Sequence, residues 1–417
     1  MLESMNTSPF RTPFARHPVQ ELLTRIDQLF APLSVETVPL AQARRRALAR
    51  EVVAAFDVPG FDRAAMDGYA VRAADNGPRT LIGEAYPARP FAGRVEAGQA
   101  VRVMTGSPLP AGADTVVPFE QVQVVSDEPS CQRLQMPSLP PGKNVSPRGE
   151  DLQAGQRLFA AGRVLRPQDE ALLVAAGVTS VFVHRIPRLS VLVTGNELVP
   201  AGSTPPNYRI VDSNSTLLAA LIVRDGGEPD VGPIVPDQRD ALREALLQAE
   251  GDLILVCGGS SVGAEDQVPT LLAQEGELLL HGLALKPGAP TGLGSLRGRW
   301  VFLLPGNPVS CLCAYDLFAG RALRRMVGRG VELPYVCVRV PLAEPILSSV
   351  GRTDYVRVTL QHGQAWPLSQ RGASVLSSVC QADGFVLVEE HQAQLEAGQS
   401  VAVYLYDTLR GNDLNDL

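Results

Sequence analysis

The sequence is 417 residues long, with 45% hydrophobic residues, 19% charged residues and a formal net charge of −7 at pH 7. This length exceeds one ordinary hydrophobic core and predicts a multidomain globular protein. The negative charge excludes long-range attraction to nucleic acids or anionic membranes, so an anionic ligand has to be held by local basic groups and backbone N–H donors.

Targeting signals and cysteine usage narrow the class further. No run of about 18 apolar residues predicts a membrane span, and the polar start of the chain does not resemble a secretion signal. We therefore expect a cytoplasmic protein with neither nucleic acid nor membrane as a partner. The six cysteines and five histidines are scattered without zinc-binding spacing, so a cysteine- or histidine-based metal site is not predicted.

In chain order, the first part of the sequence predicts helices around a β insertion. Helical spacing of apolar residues predicts helices over Val19–Phe30, Leu40–Ala55 and Gln168–Ala176. We predict a discontinuous helical domain over 1–58 and 147–186, interrupted by a β domain over 59–146. Short β-prone runs predict the strands of the insertion: Thr80–Ile82, Ala100–Val103, Thr115–Pro118 and Gln121–Val125.

Strands and helices alternate in the third region, 187–330, which predicts a mainly parallel α/β sandwich with helices on both faces of the sheet. The predicted strands are Leu189–Val193, Leu253–Val256, Leu278–Leu285 and Trp300–Leu304. The predicted helices are Ser215–Arg224, Gln238–Ala249, Val268–Gln274 and Val309–Val327.

The last region, 331–417, again shows short alternating strands and predicts a C-terminal β-barrel domain. The strands are Tyr335–Val340, Tyr355–Thr359, Gly384–Val388 and Ser400–Tyr406. The predicted fold class is thus multidomain α/β plus β.

Four loops of the α/β region carry glycines together with polar or charged side chains. Ligands of open α/β sheets bind beyond the carboxyl ends of the strands, where loops and helix N-termini meet. Glycines let phosphate approach the backbone, while Ser260 and Ser261 add hydroxyl donors and Lys286 adds positive charge. A single loop of this kind is more often a plain turn, but the four together predict a site for a phosphorylated anion. The loops are Thr194–Glu197, Gly258–Gly263, Lys286–Pro290 and Pro305–Pro308.

Acidic side chains beside these loops suggest a cation. Glu197 and Asp266 are candidates for holding a divalent ion through carboxylate oxygens, although solvated loop acids or helix caps are the alternative. Asn307 is placed to cap the helix that Pro308 begins.

The β insertion contains a further cluster, in which Asp67 opens a strand despite being a poor β-former and therefore needs a partner or a ligand. Arg148–Asp151 is a third charged cluster, equally consistent with a surface salt bridge.

Together these segments resemble the molybdopterin molybdenumtransferase family, which includes MoeA and the gephyrin E domain, over nearly the whole chain. The matching motifs stand in the order of the family: Ala65–Ala70, Met104–Gly106, Arg148–Asp151, Thr194–Gly195 with Glu197–Leu198, Asp212–Asn214, Gly258–Gly259 with Ser261–Gly263, Lys286–Gly288 and Leu304–Ser310.

The resemblance implies an elongated, four-domain homodimer that binds adenylylated molybdopterin, cleaves the adenylate with Mg²⁺ and inserts molybdate, releasing AMP and molybdenum cofactor. It also implies transient contact with other cofactor-synthesis proteins or with apo-molybdoenzymes. The catalytic residues that it implies are Asp67, Thr105, Glu197, Asp237, Asp266 and Lys286, with Glu197 and Asp266 at the metal. Of the predicted substrate-binding residues, Ser310 is expected at the molybdate together with Lys286. The full set is Gly258, Gly259, Ser260, Ser261, Gly263, Pro305, Gly306, Asn307, Pro308 and Ser310.

Some positions depart from the family pattern. Ala289 stands where the family usually has a second lysine, which removes one positive charge, and Asn196, Ala64 and Ala264 replace other polar residues of the motifs. Besides an active enzyme, the sequence therefore allows a weakened paralogue that binds the pterin or a partner protein, or handles another oxyanion. A stand-alone adenylyltransferase is disfavoured by the additional β domains.

Overall fold

The computed structural model describes residues 16–128, 131–259, 267–368 and 372–407. The chain forms two compact units, one made of the residues up to Glu36 together with those from His184 onward, and the other of Thr37–Val183. The predicted fold class is confirmed, whereas the four domain boundaries stay a prediction. No helix among the described residues has the length and apolar character that a membrane crossing requires.

The first unit is built on a mixed six-stranded sheet. The first four strands of the sheet are parallel to one another. The fifth strand is antiparallel to both of its neighbours, the fourth and the sixth. The register pairs Val193 with Cys257 and Cys257 with Leu304, so the three adjacent strands end level with one another and the residues that follow them meet at one edge. The strand order is Glu228–Val231, Arg188–Val193, Leu253–Cys257, Arg299–Leu304, Gly292–Leu296 and Glu277–His281.

Helices cover both faces of this sheet. One face packs Leu189 and Phe302 against Phe318, and the other packs Ile254 against Leu271. This two-sided burial explains why the central strands are continuous apolar runs. The helices of the unit are Val19–Leu29, Asn214–Asp225, Arg239–Gln248, Gln267–Glu275, Pro308–Ala314, Gly320–Met326 and Ser377–Gln381, with a π-helical turn over Tyr315–Ala319.

A second sheet of the same unit contains the C-terminal strands. Its order is Leu285–Lys286, Thr353–Gln361, Gly384–Val388, Ser400–Leu405 and Val336–Pro341, with Gln364–Pro367 paired to Thr353–Gln361. Two short pairs complete the unit: Leu198–Val199 with Ile210–Val211, and Ile346–Leu347 with Gln394–Leu395.

The other unit is built on a six-stranded sheet and one helix, Pro167–Ala175. The strand order is Thr115–Pro118, Gly68–Val71, Gln99–Val103, Arg79–Ala85, Cys131–Gln135 and Gln123–Glu128. Short pairs join Arg63–Ala64 to Val145–Ser146 and Val52–Val53 to Arg157–Phe159, and single turns of 3₁₀ helix span Leu40–Gln42 and Phe119–Gln121. The strands Val35–Pro39 and Ser180–His184 lie where the chain passes between the units.

The predicted helix over Leu40–Ala55 is wrong. Only Leu40–Gln42 is helical, and Arg45 has a φ of +57°, which an α-helix does not allow. Ala47 and Leu48 instead form bridges to Val164 and Val183, far along the chain, so long-range pairing overrides the local helical pattern.

The predicted strand Leu278–Leu285 is also wrong, because it is two strands belonging to different sheets. The chain breaks at Gly282, whose φ is +87°, and Leu285–Lys286 then pairs in parallel with Thr353–Asp354 of the C-terminal sheet. Lys286 therefore belongs to the C-terminal sheet. The sequence had instead placed it after a strand of the parallel sheet.

Candidate functional site

A cleft of about 1230 Å³ opens at the carboxyl ends of the parallel strands. All four predicted loops contribute to its lining, through Thr194–Glu197, Gly258–Gly259, Pro305–Pro308 and Pro290 of the loop Lys286–Pro290. Asp237 and the start of the helix Asn214–Asp225 complete the described wall. The predicted position of the site is therefore where the structure has its largest opening among the described cavities.

Asp237, which follows the strand Glu228–Val231, holds the loop Thr194–Glu197 by hydrogen bonds. Its Oδ1 accepts a hydrogen bond from the Thr194 hydroxyl at 2.5 Å, and its Oδ2 accepts one from the Asn196 N–H at 3.0 Å. The Asn196 side-chain oxygen in turn accepts from the Asp237 N–H at 3.2 Å. Asn196, a departure from the family pattern, thus takes part in a reciprocal clamp that fixes the loop after the strand Arg188–Val193.

Gly258 occupies a position that only glycine fits. Its φ is +95°, and a Cβ atom there would lie 2.3 Å from the carbonyl oxygen of Thr194. Gly259 also has a positive φ, +57°. The two glycines therefore bring bare backbone to the cleft, as close approach of a phosphate group requires.

Glu197 reaches back over the same loop. Its carboxylate lies so near Gly195 that a Cβ atom at that position would be 2.8 Å from Glu197 Oε2. The main-chain carbonyl of Glu197 accepts a hydrogen bond from the Ile210 N–H at 2.9 Å. Glu197 is therefore held at the cleft from its backbone, with its carboxylate facing the loop.

The predicted metal site includes a position that the structure does not describe. Asp266 lies outside the described residues, as do Ser260, Ser261 and Gly263. Within the described ranges, no three side chains of the metal-binding types come together. The magnesium site stays a prediction, and of its two predicted ligands only Glu197 lies within the described residues.

Asn214 lines the cleft but was not among the predicted site residues, although the motif Asp212–Asn214 matches the family. Its side-chain amide donates to the carbonyl of Gly306 at 2.7 Å and to the sulfur of Cys257 at 3.2 Å, while its Oδ1 is buried and accepts no hydrogen bond from the described part of the chain. Asp212 holds the start of this helix by accepting from the N–H groups of Asn214 and Ser215 at 2.9 and 3.1 Å. The Asp-Ser-Asn pattern ahead of a helix is the signal that could have found both residues.

A smaller pocket of about 350 Å³ adjoins the cleft, and Pro290 and Asn307 line both. Lys286 and Ser310 lie in this pocket and not in the cleft. Asn307 occupies the N-cap position of the helix Pro308–Ala314 as predicted, but its side chain makes no capping hydrogen bond, so the predicted capping role is wrong. The side chain of Asn307 instead lies at the junction of the two cavities.

The pocket is electropositive. Arg16, Lys286, Arg352 and Arg357 line it beside a single carboxylate, Asp354, which gives the described lining a formal net charge of +3.

The two C-terminal arginines of the pocket are already bonded. Arg352 makes a two-pronged ion pair with Asp354, at 2.6 and 3.0 Å, and Arg357 donates to the hydroxyl of Ser378. Sequence reasoning missed both arginines because Arg352 directly precedes, and Arg357 lies in, the strand Thr353–Gln361 of the other sheet, and no local motif marks them.

Comparison with known proteins places the chain in a family. Three family models match it: the MoeA N-terminal region (domain I and II) over residues 17–177, the "Probable molybdopterin binding domain" over 190–325 and the MoeA C-terminal region (domain IV) over 339–406. The crystal structure of a molybdopterin biosynthesis MoeA protein from Pyrococcus horikoshii is 32% identical, with 94% of this chain and 99% of that chain covered and a TM-score of 0.81. The chain belongs to the MoeA family.

Curated relatives agree with this assignment. The molybdopterin molybdenumtransferase of Haemophilus influenzae is 29% identical over 397 residues, which cover 93% of this chain and 97% of the relative. The enzyme of the same name from Staphylococcus aureus is 29% identical over 388 residues, covering 90% and 89%. As a member of the MoeA family, the protein has a role in molybdenum cofactor biosynthesis.

The remaining predicted residues of this MoeA-family protein, Asp67 and Thr105, lie in the unit Thr37–Val183 and are bonded to each other. The N–H and the hydroxyl of Thr105 both donate to Asp67 Oδ1, at 2.7 and 2.8 Å. These bonds hold the pKa of Asp67 below its ordinary value, so the side chain is ionised at neutral pH. The partner that Asp67 was expected to need is therefore Thr105.

Proposed function

We propose that the protein is a molybdopterin molybdenumtransferase, which binds adenylylated molybdopterin in the cleft and molybdate in the adjoining pocket and releases AMP and molybdenum cofactor. The observation that carries this proposal is the joining of an anion-binding backbone edge to an electropositive pocket through Asn307 and Pro290. A reaction between a phosphorylated pterin and an oxyanion needs two such sites in contact.

The cleft is suited to a phosphorylated ligand. Bare backbone at Gly258 and Gly259, beside the level ends of three strands, offers N–H donors without steric hindrance. Asn214 and Gln267 also line the cleft and add polar side chains to its wall.

The acids of the cleft divide into two roles. Asp237 is a positioning residue, because both of its oxygens already accept hydrogen bonds that shape the loop Thr194–Glu197. Glu197 is exposed and lines the cleft, and carboxylate oxygens are the donors that Mg²⁺ prefers. We propose that Glu197 and Asp266 hold this ion, which when bound supplies positive charge against the phosphoanhydride.

The pocket is suited to a small oxyanion. Lys286 supplies a positive charge and Ser310, only 4% exposed, supplies a hydroxyl donor at the wall shared with Asn307. Because Arg352 is paired with Asp354, its charge is largely balanced, and the remaining excess of cations favours a dianion such as molybdate.

A reconstitution experiment tests the proposed activity. The purified full chain is incubated with adenylylated molybdopterin, Mg²⁺ and molybdate, and AMP release is followed together with transfer of active cofactor to an apo-molybdoenzyme. We expect both products from the natural chain and from Arg243→Gln, a surface control outside the site, and a large loss with Lys286→Gln. Binding of the adenylylated ligand without any AMP release would overturn the enzyme and support the binding-only paralogue instead.

Three further features of the proposal rest on the family resemblance: a homodimer, a cytoplasmic location and dependence on Mg²⁺. Sedimentation velocity of the full chain would give a mass near twice that of the monomer if it is a dimer, and fractionation of cells tests the location. Removal of divalent ions by a chelator should stop AMP release, and added Mg²⁺ should restore it; activity that survives chelation would remove the metal from the account.

A further inference from the structure

The segment that precedes the first helix is fixed beside the electropositive pocket. The N–H of His17 donates to the carbonyl of Gly282 at 2.9 Å, and the N–H of Ala284 donates to the carbonyl of His17 at 2.8 Å. These two bonds form a parallel bridge between His17 and Leu283. Pro18 supports the bridge, because a residue before proline is restricted to extended backbone.

The helix Val19–Leu29 anchors this segment to the core. Leu22 and Ile26 are completely buried in the same apolar cluster as Phe302. The His17 imidazole also contacts Glu21 Oε2 at 3.0 Å on the first turn of the helix. The backbone beside Arg16 is therefore held by the helix on one side and by the Leu283 bridge on the other.

His17, the residue after Arg16, and Ala289 both bond to the short segment Gly282–Ala284. The N–H of Leu283 donates to the carbonyl of Ala289 at 2.7 Å, while the neighbouring groups of that segment bond to His17. Arg16 and Ala289 both line the 350 Å³ pocket, in which Ala289 contributes no charge. An arginine thus comes to this pocket from the N-terminal segment, whereas the family motif carries a lysine at position 289.

We propose that Arg16 supplies a second cation to the oxyanion pocket, beside Lys286, and so replaces the lysine that is absent at Ala289. This inference rests on the proposed function, because it assigns a specificity-determining residue to the molybdate pocket. Removing Arg16 would lower the formal charge of the described lining from +3 to +2. Because Arg352 is balanced by Asp354 and Arg357 is bonded to Ser378, Arg16 is the arginine of the described lining best able to turn toward a dianion.

The test uses four variants of the full chain: Arg16→Ala, Arg16→Lys, Ala289→Lys and the double variant Arg16→Ala with Ala289→Lys. Arg25→Ala is the matched control, since Arg25 is an exposed arginine on the adjacent helix that pairs only with Glu21 among the described residues. Molybdate binding is measured by calorimetry with molybdate alone, and the molybdate concentration for half-maximal AMP release is measured separately.

For Arg16→Ala we expect about three- to tenfold weaker molybdate binding and a matching rise in the half-maximal molybdate concentration, as for loss of one partly exposed cation near a dianion. The maximal rate at saturating molybdate should stay unchanged, and the difference from the natural chain should shrink in high salt. Arg16→Lys and the double variant should restore binding, and Arg25→Ala should leave it unchanged. A structural role for Arg16 would not produce the salt dependence or the rescue from position 289.

The outcomes separate this inference from the proposed function. If the natural chain releases AMP and Arg16→Ala has the same molybdate dependence, the function stands and the role of Arg16 is overturned. If no AMP appears but Arg16→Ala still weakens molybdate binding, the proposed activity fails while the role of Arg16 stands. If Arg16→Lys keeps molybdate binding but the double variant Arg16→Ala with Ala289→Lys does not restore it, Arg16 does not replace the lysine at position 289.

Discussion

The hydroxyl of Thr194 donates to Asp237 Oδ1 over 2.5 Å and so joins the end of one parallel strand to the loop that follows the edge strand. With the Asn196 N–H on the other oxygen, this bond shapes the loop that carries Glu197. Thr194 and Asp237 thus fix the conformation of the loop at the cleft, and Glu197 lies on this loop.

Replacing Thr194 by valine keeps the shape of the side chain and removes the donor. We expect a loss of about 1 kcal/mol in the free energy of unfolding and weaker binding of adenylylated molybdopterin, because Asp237 would keep only one of its two side-chain bonds. Denaturant titration and calorimetry measure the two effects. Thr24→Val on the exposed face of the first helix is the control, and equal effects at the two positions would contradict the role of the Thr194 bond.

Replacing Gly258 by alanine should abolish ligand binding. The new Cβ would lie 2.3 Å from the Thr194 carbonyl oxygen in a backbone conformation with φ +95°, so the loop has to move at a cost of about 1–3 kcal/mol. Gly298→Ala is the matched control, because its φ is also positive, +76°, but nothing lies within 4 Å of the added atom. If both variants bind adenylylated molybdopterin as the natural chain does, the close backbone approach is not needed.

The fold was predictable where burial is continuous along the sequence. The strands around Leu189–Val193, Leu253–Val256 and Trp300–Leu304 were found because apolar runs bounded by loops are typical of central parallel strands. The edge strand Glu228–Val231 and the inner strand Gly292–Leu296 were missed, since the first contains Glu, Pro and Asp and the second contains two glycines. Gly292 and Gly294 are explained only by tertiary structure: added Cβ atoms would lie 2.8 and 2.5 Å from carbonyl oxygens of the neighbouring strand.

The candidate site was predictable only where one loop carries the chemistry. Thr194, Glu197 and Gly258 follow strands and could be read from the local pattern, and Lys286 and Ser310 were found through the family motifs. Arg16 and Arg352 come to the pocket from the N-terminal segment and from the C-terminal sheet, and such long-range convergence leaves no local signal.

The cysteines should differ in reactivity. Cys311 and Cys313 are buried. The hydrogen bond with Cys257 and burial raise the pKa of the Cys311 thiol well above its ordinary value, and burial does the same for the Cys313 thiol. Both should therefore resist iodoacetamide at pH 8 in the native protein, while the exposed Cys337 and Cys380 are alkylated. Peptide mass spectrometry after timed alkylation measures the order; early modification of Cys313 would show that this core opens readily.

Asp169 should make the unit Thr37–Val183 sensitive to acid. Hydrogen bonds from Arg166 and Arg163 hold the pKa of its carboxyl well below the ordinary value. A lowered folded-state pKa contributes stability that is present above the unfolded-state value of about 3.9 and is lost as the pH falls toward the folded-state value. Asp169→Asn should therefore be less stable than the natural chain at pH 7, by a difference that narrows below about pH 4.

Denaturation midpoints at pH 7 and pH 3 measure this dependence. Glu51→Gln, at an exposed position of the same unit, is the control and should change neither midpoint. A difference for Asp169→Asn that stays the same at both pH values would contradict the ionic origin of its stabilising effect.

The central claim is that the cleft and the pocket act on one reaction. Its most direct test is the yield of AMP against the yield of active cofactor, measured in the same single-turnover mixture of full chain, adenylylated molybdopterin, Mg²⁺ and saturating molybdate. We predict equal amounts of the two products from the natural chain. In a second mixture with limiting molybdate, Lys286→Gln should lower the yields of AMP and of active cofactor in the same proportion. Bound ligand that never yields AMP, or AMP that forms without any active cofactor, would contradict it.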